Sequence, residues 1–229
     1  MSRLTNPRRR IGPGPRPGGA RDRLLDAAGK LFYRHGFSAV GIDWILREAG
    51  VAKMTLYRHF ASKDELIVAY LDRADEQFWT WAETAMAGAP TAEARLAALF
   101  GAVGRLAAGP ECLGCAFQGA ATAFPERPHP GHRRALAHKL AVRDRLVELA
   151  REAGLRAPES LAAGLWLLMD GAWAAARTFG TLDSPAAEVK DAAVALLDAH
   201  RRRGRARPRA ARRRKQELQR FNRSRRGAR

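Results

Sequence analysis

Cysteine is nearly absent, two in 229 residues, which excludes a disulfide-built scaffold and suits a reducing compartment. Acid is missing where base is dense. Residues 1–19 hold five Arg and no Asp or Glu, and residues 201–229 hold 15 basic residues against Glu217 alone. The span between them, 20–200, carries 21 basic and 22 acidic residues, a net −1. The formal charge of +18 therefore belongs to two tails and not to the body. Its sign points to polyanionic partners, nucleic acid ahead of an anionic membrane surface. Lysine is scarce as well, six against 35 Arg, so coding bias is an alternative origin for the tails. A long apolar run is lacking. The most apolar stretch, 161–180, is interrupted by Asp170 and Arg177, which reads as a buried or subunit-interface helix and not a membrane span. Pro and Gly follow Arg8-Arg9-Arg10 where an export signal needs apolar residues. No phosphate loop, positioned Ser or Cys nucleophile, or paired-carboxylate motif is present, so an enzyme is not expected and no cofactor is implied.

What the chain does contain is helical periodicity. At 46% hydrophobic the body is globular, and its length suffices for a sound core. Leu24, Leu25, Ala28, Leu31 and Phe32 form one stripe, ended by Gly36; Ile42, Ile45, Leu46 and Ala49 form a second, ended by Gly50. A short segment, 54–60, follows. Ser62-Lys-Asp-Glu65 is a capping box opening a long helix with Ile67, Tyr70, Leu71, Ala74, Phe78 and Trp81 on one side. Further helices are expected over 92–108, 112–123, 131–153, 158–179 and 185–202, with Pro158 and Ser184-Pro185 as explicit starts. No strand pattern appears. The expectation is an all-α fold of about nine helices: a basic arm over 1–19, a DNA-binding unit over 20–66, a helical effector-binding and dimerisation domain over 67–203, and an Arg-rich tail over 204–229.

The second and third segments meet at Arg47-Glu-Ala-Gly-Val-Ala-Lys53. Gly50 can turn left-handed and Val51 can plug the angle, which is how a helix-turn-helix is built, although a helical corner alone is common. Three details favour the DNA-binding reading. The segment Lys53-Met-Thr-Leu-Tyr-Arg-His59 is dense in donors, only Leu56 within it is plainly a core residue, and the next helix brings Lys63 to its N-terminus, where phosphates can sit.

Residues 21–66 closely resemble the TetR family of transcriptional repressors. The resemblance runs through Arg23-Leu-Leu-Asp-Ala-Ala-Gly-Lys-Leu-Phe32, His35-Gly-Phe-Ser38, Glu48-Ala-Gly-Val51, Thr55-Leu-Tyr57, His59-Phe60 and Lys63-Asp-Glu-Leu66. A weaker likeness continues at Gly114-Cys-Ala-Phe117, Phe124-Pro125, His129-Pro130 and His138-Lys139. It implies a homodimer on double-stranded operator DNA in the bacterial cytoplasm, with no membrane partner, released by a small-molecule effector. The family's DNA contacts fall on Gly41, Lys53, Met54, Thr55, Tyr57, Arg58, His59 and Lys63. Lys53, Tyr57, His59 and Lys63 suit phosphates, and Thr55 and Arg58 suit base edges. The chain departs from the pattern at Val40-Gly41, where a capping hydroxyl is usual, at Ala52 in place of Ser, and at Met54 in place of a smaller residue.

The resemblance also implies an effector pocket, with Phe78, Phe100, Phe117, Gln118, Trp166, Met169, Asp170 and Trp173 as candidates. Taken singly, the aromatic residues read first as packing. Asp170, in an apolar helix, needs a partner, either an effector group or an Arg. The last two helices would pair with their symmetry mates, through Ala162, Ala163, Gly164 and Ala172 on one and Ala192, Ala193 and Ala195 on the other. Cys112, Cys115, His129 and His132 come near a zinc-site spacing, but the histidines sit one residue too close. The default is core or pocket-wall cysteine with no metal, and a redox thiol pair is the alternative. Two other classes compete with a specific regulator: a tail-driven nucleoid or RNA-binding protein, and a small-molecule binder or enzyme on the same body.

Overall fold

The computed structural model describes residues 18–201. The basic arm (apart from Gly18 and Gly19) and the Arg-rich tail lie outside the described residues. Within them the chain forms nine α-helices and a single-turn 3-10 helix, with no strand. The helices are α1 (Ala20–His35), α2 (Ile42–Ala49), α3 (Lys53–His59), α4 (Lys63–Met86), α5 (Ala92–Ala107), α6 (Ala116–Ala123), α7 (Pro130–Glu152), α8 (Pro158–Phe179) and α9 (Val189–His200). The 3-10 turn, Pro185–Glu188, precedes α9.

Local chemistry sets most of these boundaries. Gly50 adopts φ 62° and ψ 42°, closing α2 in the left-handed region that favours glycine. The capping box forms as its spacing predicts: Ser62 Oγ accepts from the Glu65 amide at 3.1 Å, and the Glu65 carboxylate accepts from the Ala61 amide at 2.6 Å. Thr91 caps α5 by accepting from the Ala94 amide. Pro130 and Pro158 begin their helices, where a missing amide donor costs nothing.

Two expected boundaries shift. The segment from Cys112 is not helical until Ala116, because Tyr33 of α1 holds it open. The Tyr33 hydroxyl accepts from the Leu113 amide at 2.8 Å and donates to the Gly114 carbonyl at 3.0 Å. Gly114 has φ 96°, and a Cβ there would meet the Trp173 carbonyl at 3.1 Å, so the chain can pass only as glycine. After Ser184-Pro185 the first turn is 3-10, and α9 proper begins at Val189.

Two cores result. The first gathers Leu24, Leu31 and Phe32 of α1, Ile45 of α2, Leu56 of α3 and Leu66, Ile67, Tyr70 and Leu71 of α4, and it also takes in Phe117, Ala120 and Ala135 from α6 and α7. The second is built by α5, α7, α8 and α9 with Ala82 and Met86 from the far end of α4. Helix α4 thus belongs to both. Charged groups tie it on two sides. Arg73 donates to Asp26 and to the Leu25 carbonyl of α1, both at 2.6 Å. From α7, Arg134 reaches Asp72 at 2.5 Å and Asp75 at 2.9 Å, and His138 Nδ1 lies 2.5 Å from Asp75.

The small-residue reading of the last two helices needs correction. Ala162, Ala172 and Ala193 are buried in the chain's own core, and Gly164 lies against Leu196 of α9. They fix how α8 and α9 pack within one chain. Ala163, Ala192 and Ala195 stay exposed, and exposed Leu167 stands beside Ala163 and Gly171 on the outer face of α8.

Candidate functional site

Helix α3 presents two faces of opposite character. Leu56 is fully buried and Phe60 follows it into the first core, which fixes the roll of the helix. That roll turns Lys53, Met54, Tyr57 and Arg58 outward and leaves Thr55 and His59 half-buried. Met54 is 79% exposed and Tyr57 44% exposed. Large apolar surface held in water on a donor-rich helix is unusual unless something covers it. The α3 N-cap is Ala52, which supplies no side-chain acceptor to the first-turn amides, and a serine there would contribute roughly 1 kcal/mol.

Lys63 is only partly available. Its Nζ donates to the Phe37 carbonyl at 2.8 Å, tying the start of α4 to the turn after α1. Burial lowers its pKa, with neighbouring Asp64 opposing the shift. An ammonium has three donors, so two remain for a phosphate. Gly41 is the N-cap of α2 and, lacking a side chain, leaves the first-turn amides without a capping oxygen.

A second feature lies along the second half of α4. A cavity of about 320 Å³ opens between α4, α7, α8 and the segment before α6. Phe78, Phe117, Trp166, Met169, Asp170 and Trp173 all line it. Phe100 is fully buried in the second core and takes no part in the wall, and Gln118 lines a neighbouring recess of about 530 Å³ between the end of α1, α6 and α8.

Asp170, for which an effector group and an arginine were the two alternatives, pairs with Lys139, and the Lys139 ammonium also lies 5.3 Å from the Trp166 ring centroid. Burial pushes the phenol of Tyr33, at the cavity edge, up to about 12. Cys112 is buried and Cys115 half-buried, both at the cavity wall and both free thiols. His129 and His132 are engaged locally: His129 Nδ1 accepts from the Gly131 amide and His132 Nδ1 contacts the Phe124 carbonyl at 2.8 Å. Among the described residues no group of three potential metal ligands clusters.

Comparison with known proteins gives this geometry a context. Residues 24–70 match the family described as bacterial regulatory proteins, tetR family. The chain is 36% identical to a TetR-family transcriptional regulator from Streptomyces coelicolor of known structure, covering 79% of this chain and 95% of that one with a TM-score of 0.75. The chain belongs to the TetR family. Its all-α architecture is that of a TetR protein: an N-terminal helix-turn-helix followed by a helical body. It is therefore a DNA-binding transcriptional regulator of a non-enzymatic family.

Two of the curated relatives that the chain matches over short stretches carry opposite regulatory names. The transcriptional activator FasR of Mycolicibacterium smegmatis is 49% identical over 53 residues, 23% of this chain and 24% of that protein. The transcriptional repressor ComR of Escherichia coli is 40% identical over 58 residues, 25% of this chain and 28% of that protein. The matched part thus spans about a quarter of these relatives' lengths.

The TetR resemblance offered Asp170 for the cavity, but it included His138 and Lys139 only as matching residues and not as pocket candidates. Sequence reasoning missed His138, 4% exposed and at the cavity wall, along with Lys139. In sequence they are a His-Lys pair on an Arg-rich helix, which reads as a solvated face. The signal that could have found His138 is its place in the buried stripe of α7, four residues before Val142 and three after Ala135.

Proposed function

We propose that the protein is a homodimeric, cytoplasmic repressor whose two α3 helices read successive major grooves of a near-palindromic operator and which a small molecule in the cavity releases. The observation that carries this reading is the course of α4. It starts beside the recognition helix at Lys63, shares the first core through Leu66, Ile67, Tyr70 and Leu71, and passes the cavity with Ala74, Phe78 and Trp81 before ending in the second core at Met86. A ligand pressing on Phe78 and Trp81 acts on a rigid rod whose other end holds the DNA-reading unit. It changes operator affinity only if it fits one spacing of the two heads better than the other.

On this reading Lys53, Tyr57, His59 and Lys63 hold phosphates, Thr55 and Arg58 meet base edges, Met54 meets a thymine methyl, and the Gly41 amide region faces the backbone. Dimerisation uses the outer faces of α8 and α9, where Leu167, 65% exposed, supplies apolar area next to Ala163, Ala192 and Ala195. One experiment tests the scheme. An operator is recovered by random-site selection with the full-length protein, and binding is then measured by anisotropy. Tyr57→Ala should weaken it about tenfold or more, and Leu167→Glu should give a monomer that binds a half-site only. Full operator affinity in Tyr57→Ala would remove α3 from the interface, and a dimeric Leu167→Glu protein would move the seam elsewhere.

A further inference from the structure

The cavity is mostly ring and methylene; Gln77 and Glu111 of its lining are exposed to solvent, and its more buried polar groups are largely satisfied by protein partners. Lys139 and Asp170 pair, and the Tyr33 hydroxyl is engaged on both sides by Leu113 and Gly114. His138 differs. Its ring stacks on Phe117 at 3.6 Å between centroids and 7° between planes, with Phe78 edge-on at 4.9 Å. Nδ1 is committed to Asp75 at 2.5 Å, and Asp75 is in turn held by Arg134 at 2.9 Å. Nε2 has no partner among the described residues, yet no sealed side-chain nitrogen or oxygen there lacks one. Nε2 must therefore open into the cavity that His138 lines.

The protonation state follows from the surroundings. Burial keeps the His138 imidazole below its ordinary pKa despite the Asp75 carboxylate, with Lys139 and Arg134 adding to the lowering. Burial also works against the Asp75 charge, but hydrogen bonds from His138 and Arg134 outweigh it and hold the carboxyl below its usual range. A neutral imidazole facing a carboxylate gives its proton to that side, so Nδ1 donates and Nε2 is a bare acceptor. The carboxylate behind it raises the electron density at Nε2, as it does for a metal-ligating histidine. A buried acceptor of this kind calls for a donor, and a more acidic donor binds it better.

We propose that the cavity takes a hydroxylated aromatic molecule, its phenolic O–H donating to His138 Nε2 and its ring lying among Phe78, Trp81, Phe117 and Trp173. This rests on the reading of the cavity as the effector site and adds the chemical class of the effector. The polar anchor of the ligand would then sit one hydrogen bond from Asp75, a residue of α4. The volume of about 320 Å³ suits a compact two-ring molecule. Asp170, the half-buried carboxylate of the cavity, is already neutralised by Lys139, and the other lining carboxylate, Glu111, is exposed.

Quenching of the intrinsic tryptophan fluorescence reports binding, since Trp81, Trp166 and Trp173 line the cavity. The full-length protein is titrated with three probes: a naphthol, its methoxy ether and naphthalene. The naphthol should bind about tenfold or more tightly than the ether, which keeps the ring and loses the donor. His138→Phe, which keeps a ring on Phe117, should bind naphthalene as before and lose the preference. Asp75→Asn, which frees the imidazole to take its other tautomer, should reduce the preference several-fold; its helical content by circular dichroism, like that of His138→Phe, checks the fold. Probes that bind without any naphthol preference would overturn the proposal and leave the cavity as a ligand site. A preference that survives both substitutions would overturn the role of His138. If no aryl probe binds, the effector-site reading fails and takes the proposal with it.

Discussion

The DNA-reading unit and the helical body express their chemistry on different scales. In the unit the informative residues are neighbours in sequence: Lys53 to His59 lie on seven consecutive positions, and the turn before them needs one glycine. In the body the informative contacts join Tyr33 to Leu113, Asp75 to His138 and Lys139 to Asp170, separations of 80, 63 and 31 residues. A surface that reads a repeating polymer can be carried by one helix. A cavity that encloses a molecule needs walls from several.

The boundary between the two regions is nonetheless crossed by packing, and the largest expected effect lies there. Phe117 belongs to the body by position, yet it is buried with the core of α1 to α4 while stacking on His138 at the cavity wall. Truncation to alanine removes a buried ring from a core that both regions share and should cost about 3–5 kcal/mol. If the regions are coupled through this core, thermal unfolding of Phe117→Ala stays a single transition at lower temperature. Two separated transitions would make them independent and the comparison sharper than the packing suggests.

That crossing also marks what could be read in advance. The stripes of α1 and α2, the capping box at Ser62 and the turn at Gly50 are local patterns with one solution each, and they fix the fold class and the helix-turn-helix. The late start of α6 was not legible, because Tyr33, 80 residues upstream of Leu113, holds that segment open. The destinations of Phe100 and Gln118 were not legible either. Both lie on helices with small residues on more than one side, so periodicity does not say which flank meets a cavity. The partner of Asp170 could be inferred as a cation, but which cation depends on how α7 and α8 pack.

A smaller effect should separate the regions by pH. His138 is held below the ordinary histidine value of 6.5 by burial, so the unfolded chain takes up a proton more readily than the folded one. Its neutral form contributes stability that is fully present above pH 6.5 and is lost as pH falls below that toward its folded value. The Asp75 contribution has the same sign but disappears only at far lower pH, below the ordinary carboxylate range near 3.8. The groups facing His138 are Asp75 of α4, Arg134 and Lys139 of α7, and Asp170 through Lys139. Between pH 7 and pH 5 the unfolding free energy should therefore fall, by at most about 1.4 kcal/mol per pH unit for one proton. In His138→Phe the slope over that window should flatten. An unchanged slope would assign the acid sensitivity to other groups.

The smallest expected effect belongs to the DNA-reading unit and tests whether its local legibility extends to energetics. Gly41 caps α2 with φ −86° and ψ 159°, extended backbone that any residue adopts, and a Cβ built there meets no atom within 4 Å. Serine can therefore enter without strain. Its hydroxyl would accept from a first-turn amide of α2, raising stability over glycine by a few tenths of a kcal/mol. On the proposed interface it adds an O–H donor beside a DNA phosphate, where one solvent-exposed hydrogen bond is worth about 1 kcal/mol, or roughly fivefold in affinity. Gly41→Ser should thus bind the selected operator a few-fold more tightly with an almost unchanged unfolding midpoint. Because the added contact goes to phosphate, random DNA should gain by the same factor and sequence preference should stay constant. A gain confined to the operator would mean that α2 reaches base edges. No gain at all would mean that the Gly41 end of α2 stands clear of the DNA, leaving α3 and Lys63 to carry the interface.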